Sequence, residues 1–178
     1  PSADLRSFAG RTSGKATLLV DEAYNELTDA PDDNTMIDMV RGGADMIVCR
    51  TFSKIYGMAG LRVGYAITSE ANAERIRSHM MSFGGNLGGV AAALGCYNDF
   101  DFLAKSRAMV LEGREMIMEA VAKAGLTALP SQTNFVYVEV PDADAVQKAM
   151  MDRGVRIRGA YGKWTQYSRV STGMIADV

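Results

Sequence analysis

RTFSKIYGMAGLRVGY, residues 50–65, is the stretch on which the reading turns. An apolar run, Met46-Ile47-Val48-Cys49, leads into it, and a second, Arg62-Val63-Gly64-Tyr65-Ala66-Ile67, leads out. A lysine, Lys54, stands just past the first run with Thr51 and Ser53 before it, and Arg62 follows eight residues later. Upstream, the run ATLLV at residues 16–20 ends on Asp21-Glu22-Ala23-Tyr24. Short apolar runs without polar alternation predict strands covered on both faces, as in α/β proteins. Ligands of such sheets sit beyond the carboxyl ends of the strands, where Asp21, Tyr24 and Lys54 would gather.

Working outward, a short helix is predicted over 35–43, stopped by Gly42-Gly43, and another over 70–82. GGNLGG at 84–89 reads as a flexible loop at the mouth of a site, and an Ala-rich helix follows over 89–98. A long helix covers about 100–124 and ends at Gly125. The tail reads as a strand at 134–140, a helix at 142–152, a strand at 155–158 and a last strand at 168–172. These elements predict an α/β chain: the C-terminal part of a mostly parallel-sheet large domain, residues 1–97, followed by a small α+β domain, residues 98–178.

Composition narrows the function classes. The chain has 178 residues, 48% of them hydrophobic and 22% charged, and a formal net charge of -2. No basic excess points to nucleic acid, and no apolar run approaches the roughly 20 residues needed to span a membrane. Cys49 and Cys96 have no metal spacing, and one histidine, His79, gives little basis for a metal site or a Ser-His-Asp triad. Two unpaired thiols fit a reducing, cytoplasmic setting. Pro1 in place of methionine, and Val178 so soon after a strand, make both ends read as cut.

Each candidate residue answers a chemical need. A lysine amine becomes a nucleophile when its surroundings favour the neutral form, and then forms a Schiff base with a carbonyl. Pyridoxal phosphate supplies such a carbonyl, and needs a carboxylate to keep its pyridine nitrogen protonated. Asp21 suits that need, although an Asp at a strand end also caps turns. Thr51, Ser53 and Arg62 offer hydroxyls and a planar cation for a phosphate. Arg62 lies among apolar residues, where a buried charge requires an anionic partner. Tyr24 can donate to a ring oxygen or simply pack, and Glu22 reads as structural.

Residues 19–24 (LVDEAY), 50–65, 131–135 (SQTNF) and 168–173 (SRVSTG) together resemble the fold-type I, class I/II aminotransferases that depend on pyridoxal phosphate, and within them the histidinol-phosphate aminotransferase group. The resemblance implies that Lys54 holds the cofactor and shuttles a proton during catalysis. It implies that Asp21 meets the pyridine nitrogen, Tyr24 the ring oxygen, and Thr51, Ser53 and Arg62 the phosphate. Arg169 would bind the substrate α-carboxylate and Arg158 the region near the substrate side chain, with no metal. The implied reaction moves an amino group from an amino acid, or an amino phosphate such as histidinol phosphate, to a 2-oxo acid or keto compound. A homodimer is implied as well. Decarboxylation or racemisation on the same scaffold, or a non-catalytic regulatory module, are the alternatives. The family's N-terminal half, with a phosphate loop and a stacking aromatic, has no counterpart here, so this chain alone is expected to be weakly active or inactive. Residues 159–168 (GAYGKWTQYS) depart from the usual loop of the histidinol-phosphate enzymes.

Overall fold

The computed structural model describes residues 2–82 and 84–178. It divides into two compact units, the first ending at Leu103 and the second running from Ala104 to Val178.

In the first unit, helix α1 (Ser2–Thr12) leads to strand β1 (Leu18–Asp21), and two short helices, α2 (Pro31–Asn34) and α3 (Ile37–Arg41), return the chain to β2 (Met46–Thr51). That helical return makes a crossover, so β1 and β2 pair in parallel, with Asp21 opposite Cys49. Residues 52–63 contain only one 3-10 turn, Ala59–Leu61, and no crossover helix. Strand β3 (Gly64–Thr68) therefore comes back antiparallel to β2, with Thr51 opposite Gly64. The sheet is mixed, with order β1-β2-β3, rather than parallel throughout this unit.

Gly64 is what lets these strands approach, since a Cβ there would stand 2.8 Å from the Arg50 carbonyl oxygen. Met46 and Val48 are fully buried with Ala9 of α1 and Met36, and Leu18, Val20, Val40 and Ile67 pack on them. On the other face Leu19 stays 66% exposed. The expectation of cover on both faces therefore fails within this unit: β1 alternates half-buried and exposed positions. Helices α4 (Glu70–Ser78) and α5 (Leu87–Cys96) follow.

GGNLGG is not a loop throughout. Asn86 caps α5 by accepting from the Gly89 N–H at 3.2 Å and donates to the Leu61 carbonyl at 3.0 Å, so Leu87–Gly89 already form the first turn.

Helix α6 (Phe100–Lys123) carries the chain into the second unit, where β4 (Phe135–Glu139), α7 (Ala143–Met151) and β5 (Tyr167–Ser171) follow. Strands β4 and β5 pair antiparallel, and Val136, Val138 and Val140 are buried with Ile117 of α6 and Ala143 of α7. The strand predicted at 155–158 does not form. A single bridge joins Arg158 to Arg169, while side chains take the neighbouring carbonyls: Gln147 donates to Ile157 O at 3.2 Å and Ser168 to Arg158 O at 2.9 Å. Arg156 and Arg158 are exposed. No described helix is long and apolar enough to cross a membrane.

Candidate active site

The carboxyl ends of β1 and β2 bring two segments side by side. From β1 come Asp21 and, in the turn beyond it, Tyr24. From β2 come Thr51 and then Ser53 and Lys54. Asp21 is exposed, and one of its oxygens accepts the Ala23 N–H at 2.9 Å, closing an Asx-type turn. The turn-capping role and an open carboxylate thus coexist in one side chain. Lys54 is half-buried, with its Nζ 4.9 Å from the centroid of the Tyr24 ring. An ammonium held at that distance is attracted by the ring's electron-rich face.

Thr51, Ser53 and Arg62 meet as a chain of donors. The Thr51 hydroxyl lies 2.9 Å from that of Ser53 and accepts the Ser53 N–H at 3.0 Å. Arg62 Nη1 donates to Ser53 Oγ at 3.4 Å and to the Ala59 carbonyl at 2.7 Å. Arg62 itself is exposed and left-handed, at φ 55, at the end of the 3-10 turn. The burial expected from its apolar neighbours is therefore absent, and desolvation does not demand an anionic partner here. The backbone reversal swings its side chain back over Ser53, which places a cation beside two hydroxyls at one point of the surface. An anion with several acceptor oxygens suits that donor set.

Aromatic rings pack beneath this segment. Phe52, 6% exposed, lies 4.7 Å from Tyr56 and 5.7 Å from Tyr65 between ring centroids. Burial, reinforced by the charges of Tyr65 and Glu26, pushes the Tyr56 phenol up to about 12, so it stays protonated. The Cys49 thiol is also held above its ordinary value, first by burial and then by Asp21. At neutral pH that favours the protonated thiol over the thiolate.

Next to these lies a cluster that joins Glu22, expected to be structural, to Arg50 and Thr35, which carry no expected role. Glu22 is buried and accepts from Arg50, Thr35 and the Met36 N–H, the last at 2.6 Å. Arg50 also reaches Glu26 at 3.4 Å. The signal available in the sequence was a carboxylate directly after one strand and an arginine at the end of the next.

Arg158 and Arg169 belong to the second unit. The Arg158 N–H donates to the Arg169 carbonyl at 3.2 Å. The Arg158 guanidinium lies 4.5 Å from the Tyr161 ring centroid, and that of Arg169 4.8 Å from Phe135. Arg169 Nε is buried and has no hydrogen-bond partner. A buried donor of this kind calls for an acceptor, and a carboxylate fits a planar guanidinium. Among the described residues no group of three or more histidine, cysteine or acidic side chains could hold a metal ion.

The sequence matches the family described as aminotransferase class I and II over residues 2–176. The chain belongs to this family. Histidinol-phosphate aminotransferase 1 of Dechloromonas aromatica (strain RCB) is 34% identical over 175 residues, covering 97% of this chain and 48% of that relative. Histidinol-phosphate aminotransferase 2 of Ralstonia nicotianae (strain ATCC BAA-1114 / GMI1000) is 36% identical over 180 residues, covering 98% and 48%. The crystal structure of histidinol-phosphate aminotransferase from Sinorhizobium meliloti in complex with pyridoxal-5'-phosphate matches with a TM-score of 0.88 at 32% identity, covering 99% of this chain and 50% of that one. The chain spans about half the length of the family members it matches.

Proposed function

We propose that this chain is the cofactor-attaching part of an enzyme that uses pyridoxal phosphate to move an amino group between an amino acid, or an amino phosphate such as histidinol phosphate, and a 2-oxo acid or keto compound. In this reading the first unit is the C-terminal portion of the cofactor-binding domain and the second unit is the small domain. The working enzyme is a homodimer. The observation that carries the reading is Lys54 held over Tyr24, immediately past Thr51 and Ser53, whose linked hydroxyls Arg62 joins from eight residues further on.

Bound pyridoxal phosphate supplies an aldehyde for the lysine amine and a ring that draws electrons from the substrate carbon. The chain's own residues do the rest. The Thr51 and Ser53 hydroxyls and the Arg62 guanidinium bind phosphate oxygens. The exposed Asp21 carboxylate holds a proton on the pyridine nitrogen, and the Tyr24 hydroxyl donates to the neighbouring ring oxygen. Lys54 Nζ would act as base and then as acid, taking the proton from the substrate's α-carbon and returning it across the intervening nitrogen to the cofactor's own carbon. Arg169, through its unsatisfied Nε edge, orients the α-carboxylate, and Arg158 faces the substrate side chain.

A donor screen separates this reading from other chemistry. The full-length enzyme with excess pyridoxal phosphate is offered histidinol phosphate and a panel of amino acids, and the keto product and the amine form of the cofactor are quantified. Stoichiometric appearance of both is expected with at least one donor. Release of carbon dioxide, or racemisation with no amine form produced, would overturn transamination.

A further inference from the structure

The buried cluster built on Arg50 is not used by the steps above, yet it lies between the two segments that carry them. Arg50 sits on β2, four residues before Lys54, and its side chain is only 16% exposed. Its Nε and Nη2 both donate to Glu22 Oε2, at 3.1 and 2.8 Å. Its Nη1 donates to Glu26 Oε1 at 3.4 Å, and its Nη2 also reaches Thr35 Oγ1 at 3.1 Å. Glu22 and Glu26 stand two residues before and two residues after Tyr24. Arg50 therefore grips the turn on both sides of the ring over which Lys54 is held.

We propose that Arg50 is a positioning residue, clamping the Tyr24 turn through Glu22 and Glu26 so that the Tyr24 ring stays against the Lys54 amine. The inference rests on the reading of Lys54 as the reactive amine. A planar guanidinium presents donors in several directions at once, whereas a lysine ammonium is a single point on a flexible stem. Stability alone is a weak reason for this cluster, because a buried ion pair gains little over apolar packing of the same volume. Geometric specification is the better account. The backbone adds to it: the Glu22 N–H donates to Cys49 O at 2.9 Å, and Met36 N–H is fixed on Glu22 Oε1, so the clamp has a rigid base.

The test needs no cofactor. The folded chain is treated briefly with an amine-acetylating reagent at one pH, and mass spectrometry reports the reactivity of Lys54 relative to Lys15. Arg50→Lys keeps the charge but loses the fork. Freed from the Tyr24 ring, the Lys54 amine is expected to react about threefold faster in that variant. Val48→Ala, which loosens the same strand through its buried core, should leave the ratio at the wild-type value. Should Arg50→Lys not fold, Glu26→Gln opens one arm of the clamp and is expected to shift the ratio in the same direction. An unchanged ratio in the folded Arg50→Lys or Glu26→Gln protein would overturn the inference. So would an equal shift in Val48→Ala. Failure of the Lys54 reading itself would show separately, as no cofactor adduct on Lys54 in the wild type.

Discussion

The gathering of Asp21, Thr51, Ser53 and Lys54 at the carboxyl ends of two neighbouring strands was legible in the sequence, because each stands at the end of an apolar run or just beyond it. An amine, a carboxylate and hydroxyls at the ends of two apolar runs are more informative together than singly. Arg62 was legible by type and position but not by environment. Its apolar neighbours suggested burial, whereas a left-handed backbone at φ 55 brings it to the surface and over Ser53. The Arg50 clamp was missed because its partners lie 24 and 28 residues away, beyond any local pattern. Gly64 shows how one residue supports this arrangement. An added methyl would meet the Arg50 carbonyl at 2.8 Å, and the backbone there cannot retreat without disturbing β2. Gly64→Ala is expected to lower stability by about 1–3 kcal/mol, the usual range for overpacking. A shift of the urea midpoint, at unchanged slope, is the measurement that checks it.

Among the elements, those with strong periodicity or clear stops were foreseen: β2, β4, the long α6 and α7 all lie close to their expected spans. Helix α1 was not, because its sequence SADLRSFAGRT is mostly polar and, among its described side chains, only Ala9 is fully buried. The strand at 155–158 failed for a different reason. Its alternation is genuine, but Gln147 and Ser168 side chains occupy the carbonyls that a ladder would need. The mixed sheet followed from connection type, which hydropathy does not report. One junction between elements has a pH signature. Asp45, just before β2, accepts from Asn72 of α4 at 2.8 Å and from Thr17 at 2.7 Å. These hydrogen bonds, Asn72's being the larger, hold its carboxyl below the ordinary 3.8. An acid depressed by folding stabilises above its unfolded value and loses that contribution as pH falls through the folded one. Asn72→Ala should therefore lower the thermal midpoint at neutral pH, and the gap to wild type should narrow as the pH drops below about 4. Melting curves across that range check both parts.

At the scale of the whole molecule, family membership was readable because the diagnostic segments are contiguous and ordered along the chain. The surroundings of the sheet were not, and Leu19 at 66% exposure marks a face that this unit leaves open. The chain spans about half the length of the relatives it matches. The proposed attachment singles out one amine among the six lysines of the sequence. Excess pyridoxal phosphate followed by borohydride, with peptide mapping over a short time course, tests it even at weak affinity. The reduced cofactor is expected first and predominantly on Lys54. Labelling spread evenly over the lysines, or led by Lys15, Lys105, Lys123, Lys148 or Lys163, would contradict it.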